Sequence, residues 1–245
     1  MLEAWYLIIG NPVLNGLVAL SHILFDEFGL AIIALTVIVR LISWPLTSRQ
    51  SESTKAMQSM QPKIQELQKK YGKNKQKLQQ ETMKLYKEAG VNPLGCLWPM
   101  LIQFPIWIAL YQAIMNALAA TPEHLLDLAH RLYGWEVVSQ AIPLNSQFLW
   151  LDLGSQGDLI LAIIVGGTMW VQQKMTTAPS VDPRQQATSS MMLLMMPLMF
   201  GFFVLMVPSG LALYWAVSNI IGIITQYFIT GGWGYLKFPV LGPRS

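Results

Sequence analysis

Arg40 is the only ionisable side chain between Gly29 and Leu46, and Leu, Ile, Val and Ala flank it on both sides in ALTVIVRLISWPLT, residues 34–47. A guanidinium stays charged at any physiological pH, so the chemistry open to it is attraction of an anion rather than nucleophilic or acid–base work. Thr36 lies one helical turn before it and Ser43 three residues after it, on the same helical face. Isolated polar groups recur in other apolar stretches: Gln103, then Gln172 and Gln173, then Tyr214, Trp215, Ser218, Asn219 and Gln226. Of the last set, Trp215, Ser218, Asn219 and Gln226 can share a face. Taken singly, such groups serve as hydrogen bonds between membrane helices. Converging on a cation, they can line a polar groove.

The elements that must carry these residues are apolar runs at Leu30–Leu46, Leu94–Leu118, Leu159–Val171, Met191–Val207 and Leu211–Ile229. The 245 residues are 53% hydrophobic and 12% charged, where a soluble domain carries about 25% charged residues. Each run suits a bilayer span of about 20 residues. The reading is an all-α polytopic membrane protein with five transmembrane helices, at 29–48, 93–118, 158–175, 190–207 and 210–230. Nine residues separate Arg40 from Arg49, about 13.5 Å of helical rise and nearly half a hydrocarbon core. A charge at that depth costs about 2.5–3.5 kcal/mol to insert, so it snorkels, pairs with a buried acid or faces water. No Asp or Glu lies inside the five runs, and Asp158 only opens the third. An unpaired guanidinium there implies water beside it.

Charge placement orients the chain. Between Arg49 and Glu88 there are ten Lys/Arg against four acids, whereas Ala119 to Asp158 holds Arg131 alone against five acids. The basic segment, 49–92, is therefore cytoplasmic and the acidic one, 119–157, lies outside. Lys174 and Arg184 place the loop 176–189 inside, and Lys237 and Arg244 place the tail, 231–245, inside as well. The expected topology is N-out, C-in. Residues 5–25, WYLIIGNPVLNGLVALSHILF, are uncharged and long enough for a sixth span. Asn11, Pro12, Asn15, Gly16, Ser21 and His22 dilute them, and segment 1–28 reads instead as an interfacial amphipathic helix. It lacks the basic flank and cleavage pattern of a signal peptide.

Within the basic segment, Met57, Met60, Ile64 and Leu67 form one narrow helical stripe and Leu78, Thr82, Leu85 and Ala89 a second. YGKNK at 71–75 separates them, and Pro62 starts or kinks the first arm. The pattern predicts an antiparallel helical hairpin in the cytoplasm. Its basic faces, with Lys63, Lys69, Lys70, Lys73, Lys75 and Lys77, either serve as a solvated spacer or recruit a partner or anionic lipid. Cys96, the only cysteine, excludes an intramolecular disulfide and a Cys-rich metal site. No nucleotide motif appears, and no cofactor is implied.

VNPLGCLWPMLIQFPIWIALY at 91–111 and PSGLALYWAVSNIIGIITQYFI at 208–229 resemble the second and fifth core spans of the YidC-type membrane protein insertases and their mitochondrial and chloroplast relatives. IVRLISWPLT followed by MQPKIQELQKKYG is similar to that family's arginine span and coiled-coil loop, and DPRQQ at 182–186 to its second cytoplasmic loop. The resemblance covers nearly the whole chain. It implies a five-helix core around a hydrophilic groove, open to the cytoplasm and to lipid and closed outside, lined by Arg40, Thr36 and Trp215. It implies a non-enzymatic role in the bacterial cytoplasmic membrane. The partners implied are nascent membrane-protein clients, with the ribosome, signal recognition particle or its receptor, and the Sec translocon as accompanying machinery, and no nucleic acid read directly. The tail after Ile229 is short where several relatives carry long basic ones, and the large outer domain of Gram-negative members has no counterpart in these residues; a compact bacterial form is expected.

On this reading a client's acidic tail is drawn into the groove by Arg40 while its apolar segment slides into lipid, driven by hydrophobic partitioning and membrane potential. Met191, Met192, Met195, Met196, Met199 and Met206 crowd the fourth span, as lipid packing or as a flexible client-facing surface. Two other classes fit these residues less well. An intramembrane serine protease would use Ser209, but His22, His124 and His130 lie outside the spans. A small-solute transporter or channel would show internal repeats, and none is found.

Overall fold

The computed structural model describes residues 5–72, 74–90, 97–118, 131–134, 144–177 and 183–236. A π-helical turn, Tyr6–Gly10, runs into α1 (Asn11–Ile23), which is followed by α2 (Phe28–Ser59), α3 (Gln61–Tyr71), α4 (Lys75–Glu88) and α5 (Leu97–Ala117). A minimal antiparallel pair, β1 (Gln147–Phe148) and β2 (Leu151–Asp152), precedes α6 (Leu159–Thr176), α7 (Pro183–Val204) and α8 (Ser209–Thr230). Lys73, the expected stretches 119–130, 178–182 and 237–245, and Cys96, His124, His130, Lys237 and Arg244 lie outside the described residues. Nothing is described of the Lys75 and Arg184 side chains.

α8 is the central helix. Leu211, Ala212, Leu213, Tyr214 and Ala216 are buried along it, and its most extensive contacts are with α6 and α2. Its sequence explains both ends. Pro208 pre-sets the chain at the start, and Gly231 closes the helix in the left-handed region at φ 70°, with the Gly232 N–H donating to Tyr227 O. α6 and α7 pack closely because their contact is lined with small residues: a Cβ on Gly166 would stand 3.2 Å from Pro197 O, and one on Gly201 3.4 Å from Ala162 O. The outer flank of α7 remains uncovered, with Met191, Met195 and Met199 all exposed.

The core is concentrated at one end. Leu17, Val18, Phe28, Ala31, Ile32, Leu153, Val165 and Leu211 are all fully buried. Backbone hydrogen bonds tie the connecting segments together there: the Ser209 N–H donates to Ser155 O and the Gly210 N–H to Leu153 O, and isolated bridges join Gln156 to Pro208 and Glu27 to Asn145. The Phe148 ring occupies the space a Cβ on Gly29 would need, with ring carbons 2.1–2.6 Å from that position.

Among the described residues, four helices are long and apolar enough to cross a membrane: Tyr6–Ile23, Phe28–Met57, Gln186–Val204 and Ser209–Thr230. α6 is absent from that set because Gln172, Gln173 and Lys174 lower its average hydropathy, and on α5 the described side chains begin only at Gln103. The Tyr6–Ile23 helix meets the same end of the bundle at both of its own ends. Trp5 Nε1 donates to Gln112 Oε1 at 3.3 Å near the end of α5, and the Arg131 guanidinium stands 3.8 Å from the Tyr6 ring centroid. Midway, Asn15 donates to Arg131 O and accepts from the Tyr133 N–H; at the far end Glu27 bridges Asn145.

α2 does not stop where the apolar run stops. It continues as helix for 32 residues to Ser59, through Pro45, so the expected boundary between span and hairpin at 48/49 falls inside one helix. The hairpin itself is α3 and α4. Pro62 sits in the first turn of α3, and the Asn74 side chain caps α4 by accepting from the Lys77 N–H at 3.1 Å. Beyond its own two arms, its principal contact is with the end of α2.

Candidate functional site

Arg40 and Ser218 face each other across α2 and α8. The guanidinium donates from Nε at 2.8 Å and from Nη2 at 2.5 Å to the single Ser218 Oγ. Gln103 of α5 donates from Nε2 to the Tyr214 hydroxyl one turn earlier on α8. The one ion pair among the described residues is His22–Asp26, on the surface. No carboxylate therefore neutralises Arg40 within them, and its Nη1 has no acceptor there.

Two cavities share the arginine. The first, about 490 Å³, extends from Arg40 towards the hairpin end of the bundle. Its α2 wall is Arg40, Trp44, Thr47, Ser51 and Lys55, spaced four, three, four and four apart along one face. Opposite stand Gln172 and Thr176 of α6, Gly222, Thr225, Gln226 and Thr230 of α8, and Gly234 and Tyr235 beyond it. Gly222 has a steric reason: a Cβ there would lie 2.5 Å from Gln172 Nε2. At the mouth the Lys55 ammonium donates to Ile229 O at 2.6 Å. The segment after α8 folds across the end of α6, with the Tyr235 N–H donating to Met175 O at 3.2 Å and Leu236 buried. A Cβ on Gly234 would stand 2.3 Å from Met175 O, and its φ of 59° also favours glycine.

The second cavity, about 390 Å³, is bounded by Arg40, Gln103, Phe104, Trp107, Phe200, Tyr214, Trp215, Ser218 and Asn219. Its wall is a ring cluster: Phe200–Trp215 centroids are 4.8 Å apart and Trp107–Trp215 5.3 Å, edge-on and tilted as aromatic quadrupoles favour. Asn219 Nδ2 points the other way as well, donating to Val165 O at 3.4 Å and Thr168 Oγ1 at 3.3 Å.

Of the residues singled out in the sequence, Arg40, Gln103, Tyr214, Trp215, Ser218 and Asn219 meet at the second cavity and Gln172 lines the first. Thr36 and Ser43 line neither. Thr36 is fully buried and its hydroxyl donates to Ile32 O at 2.6 Å, so its own backbone satisfies it. The Ser43 carbonyl accepts from the Thr47 hydroxyl. Sequence reasoning missed Thr47, Ser51 and Lys55. The signal was present in the 40–44–47–51–55 stripe, which crosses the assumed end of the span. Among the hairpin lysines, Lys63 and Lys70 line the cleft between α3 and α4, Lys69 is exposed, and Lys70 and Lys77 lie 5.4 and 5.2 Å from the Tyr71 ring. Ser209 is spent structurally, its Oγ donating to Ser155 O at 3.1 Å, while His22 pairs with Asp26.

Apolar helices around a cavity lined in part by polar side chains, with a cation that no carboxylate among the described residues neutralises, define an all-α polytopic membrane protein. The chain belongs to the 60Kd inner membrane protein family, whose model matches residues 20–233. It is similar to the membrane protein insertase YidC of Actinobacillus succinogenes, 40% identical over 231 residues, which are 94% of this chain and 38% of that protein. The YidC of Nitratidesulfovibrio vulgaris is 34% identical over 226 residues, 92% of this chain and 38% of its own. A crystal structure of active YidC insertase with its first transmembrane domain resolved matches with a TM-score of 0.65 at 31% identity, over 91% of this chain and 47% of that one. The chain thus spans less than half the length of these relatives.

Proposed function

We propose that this chain is a membrane protein insertase of the bacterial cytoplasmic membrane, lying N-out and C-in, that moves short acidic client tails through the groove and releases the client's apolar segment into lipid. The observation that carries this is Arg40, a cation without a carboxylate partner among the described residues, at the inner end of a cavity whose lining runs from it towards the basic hairpin. An anionic tail entering from that end meets Lys55 first and Arg40 last. The exposed methionine flank of α7 offers the apolar segment an adaptable surface on its way out. The Tyr6–Ile23 helix is an interfacial element on the outer side, supported by contacts of both its ends with one end of the bundle. The hairpin lysines Lys63, Lys69, Lys70 and Lys77 recruit the delivering machinery, the ribosome or signal recognition particle and its receptor being the partners that suit a basic surface near nascent chains, or anionic lipid. Work beside a Sec translocon belongs to the same reading.

The deciding experiment uses the purified chain in protein-free liposomes. A single-span client with an acidic tail should become protease-protected several-fold faster than in empty vesicles, while the same vesicles pass no ion current. Ion flux without client protection would instead establish a channel.

A further inference from the structure

We propose that the aromatic cavity beside Arg40 is a side-chain subsite: it takes one bulky apolar side chain of the client, aromatic or branched aliphatic, set three or four residues from an acid that pairs with Arg40. The inference rests on the insertase reading. Arg40 stands in the wall of both cavities, so a carboxylate held there fixes where its neighbours lie. On a helical turn the residues three and four positions away are on the same face, about 5–6 Å off.

The space and its chemistry fit that occupant. An apolar cavity of about 150 Å³ accepts benzene, and this one measures about 390 Å³. Phe104, Trp107, Phe200 and Trp215 offer ring edges and faces that a further ring can join. Three polar side chains of the wall are already engaged, Gln103 with Tyr214, Ser218 with Arg40 and Asn219 with α6, and the Trp107 indole N–H, buried without a partner among the described residues, is the exception. What remains is an apolar bay beside one cation, complementary to an acid and a large apolar group on one short peptide. A phospholipid also joins an anion to an apolar chain, but the polar cavity leads to Arg40 from the hairpin end, the route of a peptide and not of a headgroup in the bilayer plane.

The test uses the full chain in liposomes and two clients alike except at the position four residues from their single tail acid, Phe in one and Ala in the other. The Phe client should insert about five- to ten-fold faster, because its ring leaves water for the bay. A benzoyl-phenylalanine at that position should crosslink to Phe104, Phe200 or Trp215. Phe104→Trp, at a side chain exposed enough to accept a larger ring, should bring the Phe client down to the rate of the Ala client with the melting temperature unchanged. Equal rates in the parent protein overturn the subsite, as does a difference that persists in Phe104→Trp. Crosslinks confined to the methionine flank of α7 do the same, as does a photoactivatable phospholipid that labels the bay and is not displaced by the Phe client. Failure of both clients to insert overturns the insertase reading itself.

Discussion

Arg40 spends two nitrogens on one hydroxyl, a grip too slight to be a structural ion pair. Arg40→Ala should therefore leave the fold intact, costing about 1–2 kcal/mol from the lost contact with Ser218. It should slow insertion of acidic-tailed clients by about tenfold, equivalent to about 1.4 kcal/mol of barrier, with neutral-tailed clients little affected. Arg40→Lys keeps the charge and should keep most of the rate; a loss as deep as that of alanine would show that the planar fork matters more than the cation. Protease protection with matched clients, beside a thermal melt in detergent, reads both. Its place beside a cavity was legible in sequence because a lone cation in an apolar run with no acid to pair either snorkels or faces water. Thr36 was misplaced for a reason of the same scale: a threonine in a membrane helix can satisfy its hydroxyl on its own backbone, and the alphabet alone does not say which it does.

At the scale of elements, the apolar runs announce helices well, since only helices and barrels satisfy a backbone in lipid. The length of α2 was not announced. From Arg49 onward its residues are polar, and polar sequence reads as loop unless the 3.6-residue stripe is followed across the membrane boundary. The β1–β2 pair was invisible, because two residues per strand carry no periodicity. Its packing is consequential: the Phe148 ring lies where a Gly29 Cβ would go. Gly29→Ala should destabilise by about 1–3 kcal/mol through overpacking, seen as a lower melting temperature. An unchanged melt would mean that Phe148 moves aside freely. The hairpin is the contrasting element, self-packed and peripheral. Deleting Lys63 to Lys84 should leave the melt of the membrane helices unchanged while cutting delivery-dependent insertion several-fold; full insertion after deletion would reduce the hairpin to a spacer.

For the molecule as a whole, the asymmetry of the cavity and the asymmetry of charge agree: the lining of the polar cavity runs from Arg40 towards the end where the basic hairpin lies, and the opposite end is packed and bridged. In a Cys96→Ser background, Ser59→Cys should react with an impermeant thiol reagent only from the cytoplasmic face and Ser155→Cys only from the outer face. Both side chains are exposed. Reaction of the two from one face would sink the proposed orientation. The general plan of helices was readable in composition; the two-chamber groove was not, because the aromatic bay is assembled from α5, α7 and α8, whose residues are close only after folding.

The polar stripe on α2 is also a ruler. Lys55 at the mouth and Arg40 at the floor are fifteen residues apart on one helix, about 22 Å at 1.5 Å per residue. An extended peptide covers about 3.3 Å per residue, so about seven residues of tail reach from mouth to floor. A client whose acid sits only two or three residues from its apolar segment cannot touch Arg40 until that segment has itself left the surface; one placed about seven residues away is caught while the segment still rests at the interface. Moving a single aspartate along an otherwise neutral tail should therefore give an insertion rate that rises to a maximum near that spacing. A rate indifferent to position would mean that the groove attracts acids without measuring them.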